Sequence, residues 1–192
     1  MTNLKIKEYF NIPNLMGYFR ILLVPVFIIF FLKSEHAGTW PNAYYWLMLA
    51  TILISGLTDF LDGRVARKFN MVTDWGKMLD PIADKITIGA IIVALAYKYP
   101  IVLAMVALYI VKEGYMSIMG VILLKRGSKI EGALWYGKVC TFLTYVVLII
   151  LLVFPKLPMI LVNILIAINM ADMLFTFIMY IPYHIKKLKE TK

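Results

Sequence analysis

The sequence predicts an all-α polytopic membrane protein, six transmembrane helices with a short N-terminal interfacial helix, and three observations predict it. Apolar residues make up 62% of the chain and charged residues only 16%, which is more apolar surface than a soluble domain of this length can bury. The apolar residues fall into six runs, each near the ~20 residues that cross a hydrocarbon core. The breaks between the runs are short and carry proline, glycine or charged residues. A single domain covering residues 1–192, without linker, repeat or low-complexity tract, is therefore expected.

Residues 4–13 (LKIKEYFNIP) mix Leu4, Ile6, Tyr9 and Phe10 with Lys5, Lys7 and Glu8. That composition suits a helix lying in the interface until Pro13 turns the chain inward. The first span covers about residues 15–32 and has Arg20 inside its apolar run. Five more follow at about 42–65, 75–97, 101–124, 133–154 and 159–182. The start of the chain is polar and the first apolar run lacks a small-residue cleavage site, so no cleavable signal is expected. The single cysteine, Cys140, lies in an apolar segment and excludes an intrachain disulfide and a cysteine metal site.

The formal net charge of +9 sits at the ends of apolar runs, where it anchors the chain to anionic lipid rather than to nucleic acid. Lys5, Lys7, Arg67, Lys68, Lys125, Arg126, Lys129 and the tail lysines fall on one side, against Lys33, Lys98 and Lys156 on the other. By the positive-inside rule both termini are cytoplasmic. The second and third spans then meet at the cytoplasmic end of the bilayer.

At that meeting point lies the most informative stretch of the chain. Of only 11 acidic residues, Asp59, Asp62, Asp80 and Asp84 fall within it. Asp59 and Asp62 are three residues apart and Asp80 and Asp84 four apart, so each pair leaves one face of its helix. Four carboxylates between two facing helices would repel one another unless cations sit among them. Hard divalent ions, Mg²⁺ or Mn²⁺, suit such oxygen donors. Gly63 and Ala66 remove bulk beside the acids, and Arg67 offers a planar fork for phosphate oxygens. The bland reading makes the carboxylates helix caps or ion-pair partners of Arg64, Arg67, Lys77 and Lys85, but acids inside a membrane protein are usually functional.

The string Asp59-x2-Asp62-Gly63-x2-Ala66-Arg67-x8-Gly76-x3-Asp80-x3-Asp84 resembles, at every fixed position, the signature of the CDP-alcohol phosphotransferases, integral membrane enzymes of phospholipid synthesis. The resemblance implies that Asp59, Asp62, Asp80 and Asp84 bind two divalent ions and that Asp84 is also the general base. It implies that Asp62, Gly63, Ala66, Arg67 and Gly76 hold the CDP diphosphate, that CDP-diacylglycerol is the donor with CMP leaving, and that the protein is a homodimer. Asn11-Ile12-Pro13-Asn14 with Arg20, the run Gly76-Lys77-Met78-Leu79-Asp80-Pro81 and Gly137-Lys138 look like the bacterial phosphatidylglycerophosphate synthases of that family, which points to glycerol 3-phosphate as acceptor.

The chain departs from that subgroup in places. Gly17 stands where threonine is usual and Lys112-Glu113-Gly114 where Arg-Glu-Phe is usual, and Gly120-Val121-Ile122 and Gly137-Lys138-Val139-Cys140-Thr141 each lack one cation that the subgroup's stretch carries. Lys112, Lys138 and Arg126 remain as acceptor-binding candidates, and a lipid acceptor such as phosphatidylglycerol is the alternative. Lys112 and Glu113 are adjacent and expected to point in different directions, and Asp172 is expected to partner a polar neighbour. A cation transporter built on the same acids is the remote alternative, disfavoured because Arg67 would repel a permeating ion. A scaffold would not need the complete acid set.

Overall fold

The computed structural model describes residues 9–127 and 132–190, and all the regular structure within them is helical. Six long helices are present among the described residues: α1 (Ile12–His36), α2 (Ala43–Lys68), α3 (Asp74–Lys98), α4 (Val102–Lys125), α5 (Trp135–Val153) and α6 (Met159–Glu190). The interfacial helix expected at 4–13 falls mostly outside the described residues. Within them, Ile12 and Pro13 already belong to α1.

Side chains written into the sequence set the helix starts. Asn11 is extended and accepts the Asn14 N–H at 2.9 Å, and Pro13 occupies the first turn, where its missing N–H costs nothing. Asn42 caps α2 in the same way, accepting from Tyr45 N–H at 2.9 Å. Thr73 Oγ1 accepts the Gly76 N–H at 3.0 Å at the start of α3. Helix α2 ends on Arg67 and Lys68, cations placed favourably at a C-terminal dipole. Gly127, with φ of 81° just after α4, adopts the left-handed conformation that stops a helix.

Five of the six helices, α1, α2, α4, α5 and α6, are long and apolar enough to cross a membrane. Helix α3 has the length, 25 residues, but Lys77, Asp80, Asp84 and Lys85 load its first half with charge, and its apolar stretch begins only at Ile86. Helix α6 runs eight residues beyond the expected end at 182, with Pro182 inside it and Lys187 and Lys189 in its last turn.

The helices divide into two compact units, Met1–Ala94 and Leu95–Lys192. In the first, Phe27, Phe31, Tyr45, Met48, Leu79, Ala83 and Ile91 are buried. In the second, Val102, Met105, Leu148, Leu151, Val162, Ile166 and Met173 form the core. Polar contacts cross that second core as they do in membrane bundles: Asn169 Nδ2 donates to Thr144 Oγ1 at 3.1 Å, and the Tyr136 hydroxyl donates to the Met179 carbonyl at 3.4 Å. Large apolar side chains such as Phe142 and Ile160 are exposed, which suits contact with lipid tails rather than water.

Candidate active site

The site in the first unit is built by close approach of α1 to α3. A Cβ on Gly17 would stand 2.8 Å from the Leu79 side chain, and one on Gly76 would stand 2.6 Å from Asn14 Oδ1. Neither helix could come so near with larger residues there. Two hydrogen bonds then fasten the N-terminal end of α1 to the α2–α3 connection: Asn11 Nδ2 donates to the Met71 carbonyl at 2.9 Å, and Asn14 Nδ2 to Thr73 Oγ1 at 3.2 Å.

That clamp sets Arg20 of α1 opposite the four carboxylates. Its Nη1 binds Asp59 Oδ1 and also Asp84 Oδ1, the latter at 2.8 Å. Its Nη2 binds Asp62 Oδ2 and lies 3.8 Å from Asp80 Oδ1. Burial divides the cluster into a floor and a rim. The side chains of Arg20 and Asp62 are 2% and 4% exposed, whereas Asp59, Asp80 and Asp84 are 48%, 47% and 38% exposed.

One guanidinium against four carboxylates leaves an excess of negative charge at an open rim. The donor set is all hard oxygen, which fits Mg²⁺ or Mn²⁺. Among the described residues, however, no three acidic, histidine or cysteine side chains are grouped so that they could hold one ion. Arg20 occupies the middle of the carboxylates.

The remaining motif residues take different places. Arg67 is exposed at the end of α2, and the nearest atom to a Cβ on Gly63 would be Arg67 Nη2 at 3.7 Å. The face of α2 from Gly63 to Arg67 is thus open, as a diphosphate-binding surface needs. Ala66 turns the chain, its carbonyl accepting the Met71 N–H at 2.8 Å. Gly76 is pressed against Asn14 and serves the helix packing. The guanidinium bound by the four acids belongs to α1, not to the nearby Arg64 or Arg67.

The acceptor candidates all lie in the second unit. Lys112 is buried, and its Nζ pairs with Glu113 Oε1 at 2.7 Å, so the two neighbours meet each other rather than diverging. Lys138 is exposed at the first turn of α5. Arg126 Nη1 donates to the Leu188 carbonyl of α6 at 3.3 Å. Asp172 Oδ2 is buried with no hydrogen-bond partner among the described residues.

Membrane helices with a paired-aspartate centre at the meeting of two of them define a class, and sequence comparison names it. The profile of the CDP-alcohol phosphatidyltransferases matches residues 10–180. The chain belongs to the CDP-alcohol phosphatidyltransferase family. It is 30% identical over 141 residues to a cardiolipin synthase (CMP-forming) of Streptomyces coelicolor, a match that covers 73% of this chain and 64% of that one. It is 43% identical over 98 residues to a CDP-diacylglycerol–glycerol-3-phosphate 3-phosphatidyltransferase of Rickettsia bellii, covering 50% and 48%. A protein of that same name in Bacillus subtilis is 31% identical over 140 residues, covering 69% and 72%. The chain thus spans between about half and two thirds of the length of the first two of these relatives.

Sequence reasoning missed Arg20 as a member of the cluster. A full charge in the middle of the first apolar run was the available signal, because such a charge requires a partner. Its partners lie 39 to 64 positions away in sequence, too far for spacing rules to connect.

Proposed function

We propose that this protein is a CDP-diacylglycerol-dependent phosphatidyltransferase of phospholipid synthesis that moves the phosphatidyl group to glycerol 3-phosphate and releases CMP. The observation that carries the reading is the convergence of Asp59, Asp62, Asp80 and Asp84 on one point. One guanidinium does not balance four acids in a mostly apolar chain, and the excess negative charge at the exposed rim supports a cation-bound, phosphate-handling centre. The names of the Rickettsia and Bacillus relatives support the same acceptor.

In this reading Asp59, Asp62, Asp80 and Asp84 hold two Mg²⁺ or Mn²⁺ ions, which when bound neutralise the diphosphate and the departing phosphate. Gly63 and Ala66 let the diphosphate approach the α2 backbone, and Arg67 supplies paired N–H donors to its oxygens. Asp84, on the rim, takes the proton of the acceptor hydroxyl. The hydroxyl oxygen forms a bond to the phosphorus that carries diacylglycerol, and the bond from that phosphorus to the bridging oxygen breaks, so that CMP leaves with that oxygen.

We read all six helices as spanning, α3 with its charged first half at the cytoplasmic end. Both termini and the carboxylates are cytoplasmic, supported by the distribution of Lys and Arg between the connections. The match of one family profile across both units supports a single domain, and the family resemblance supports a homodimer held among anionic lipids.

A second acceptor is favoured by one observation. Lys112 is already neutralised by Glu113, which removes a cation from any phosphate cradle and suits an uncharged hydroxyl on phosphatidylglycerol, the reaction named for the Streptomyces relative. Purified protein in detergent with CDP-diacylglycerol and Mn²⁺ is offered each acceptor in turn and CMP is measured. Release driven by glycerol 3-phosphate is expected. Release driven by phosphatidylglycerol alone replaces the leading acceptor with the second, and release with neither overturns the proposal.

A further inference from the structure

Arg20 is the one member of the carboxylate cluster that the family signature does not contain, and it lies at the cluster's centre. Three observations concern what it does there. Both of its terminal nitrogens are committed to carboxylates, so the guanidinium sits between Asp59, Asp62 and Asp84. Its Nε is buried and has no hydrogen-bond partner among the described residues. An arginine locked permanently into a structural network normally satisfies all of its donors. Beside it is a cavity of about 10 Å³ bordered by Thr51, Ser55 and Thr87, room for about one water molecule. Thr51 and Thr87 spend their hydroxyl protons on Leu47 and Ala83 carbonyls, which leaves their oxygens free to accept.

We propose that Arg20 is a resident counter-ion of the active site that competes with the divalent cations for the carboxylates, keeping Asp62 on the buried floor while yielding Asp59 and Asp84 on the exposed rim when the ions bind. The charge arithmetic favours an exchange of this kind. Without any cation the four acids would repel and push the ends of α2 and α3 apart, and Arg20 holds them together in the metal-free protein. With ions present, a fixed positive charge a few ångströms away opposes their binding. Arg20 therefore weakens metal affinity while preserving the site. A diphosphate that brings anionic oxygens of its own gives the released guanidinium new partners, so donor and metal binding become mutually favourable, as linkage requires.

The proposal rests on the reading that the carboxylates hold divalent ions, and the test separates the two. Mn²⁺ binding to the purified protein is followed by the loss of the free-ion signal in electron paramagnetic resonance, without substrate, alongside the melting temperature with and without Mn²⁺. Arg20→Met is expected to bind Mn²⁺ at least about tenfold more tightly than wild type, and to gain more in melting temperature from the ion. Arg20→Lys, which keeps a charge but cannot reach several carboxylates at once, is expected to fall between them and decides the matter if the methionine variant does not fold. A purely structural Arg20 would lower stability with Mn²⁺ affinity unchanged or reduced, and that result overturns the competition. Absence of Mn²⁺ binding to the wild type overturns the metal reading itself and the competition with it.

Discussion

Asp62 and Asp84 share a guanidinium yet live in different surroundings, and under the proposed function the difference suits them to different work. Asp62 is buried on the floor beside Arg20, whereas Asp84 is 38% exposed on the rim, where an acceptor hydroxyl can reach it. Asp84→Asn removes a proton acceptor while leaving three carboxylates. Its nucleotide binding should be largely retained and its turnover should fall at least about 10²-fold, measured by CMP release beside equilibrium binding of a CDP ligand. Near-normal release would move the base to another residue. The convergence of the four acids was legible from fixed spacing because helical periodicity puts each acid pair on one face. Arg20 was not, because its role is made by packing between helices distant in sequence. The Lys112–Glu113 pair was misjudged for a related reason: adjacent Cα positions diverge on a helix, but long side chains fold back to meet.

At the scale of elements, the site depends on how near α1 comes to α3. Gly76 is the closest point, with Asn14 Oδ1 2.6 Å from where a Cβ would be. Gly76→Ala should push Asn14 off Thr73 and cost about 1–3 kcal/mol of stability, read as a lowered melting temperature. Restoring space with Gly76→Ala in an Asn14→Ala background should recover part of that loss, and equal melting of wild type and Gly76→Ala would contradict the packing described. Helix positions were legible within a few residues because apolar runs coincide with breaks carrying proline, glycine or charged residues. The end of α6 was not, because the apolar run near ~20 residues marks the span and not the helix, which continues through Pro182 into the basic tail. Helix α3 blurs the count of spans because the acids in its first half leave it less apolar than the five helices able to cross a membrane.

At the scale of the whole molecule, the claim that matters is which side of the membrane the carboxylates face. In a Cys140→Ser background, Thr39→Cys lies in the exposed connection after α1 and Ala133→Cys in the exposed stretch before α5. An impermeant thiol reagent applied to intact cells should label the first and not the second, and opened cells should expose both. The reverse pattern would turn the site away from nucleotide-borne lipid precursors made inside the cell. The single most direct test is CMP release from CDP-diacylglycerol and glycerol 3-phosphate by the purified protein, measured first with EDTA and again after Mn²⁺ is restored. The four-carboxylate centre predicts that release vanishes in chelator and returns with the ion, and undiminished turnover in EDTA would contradict it.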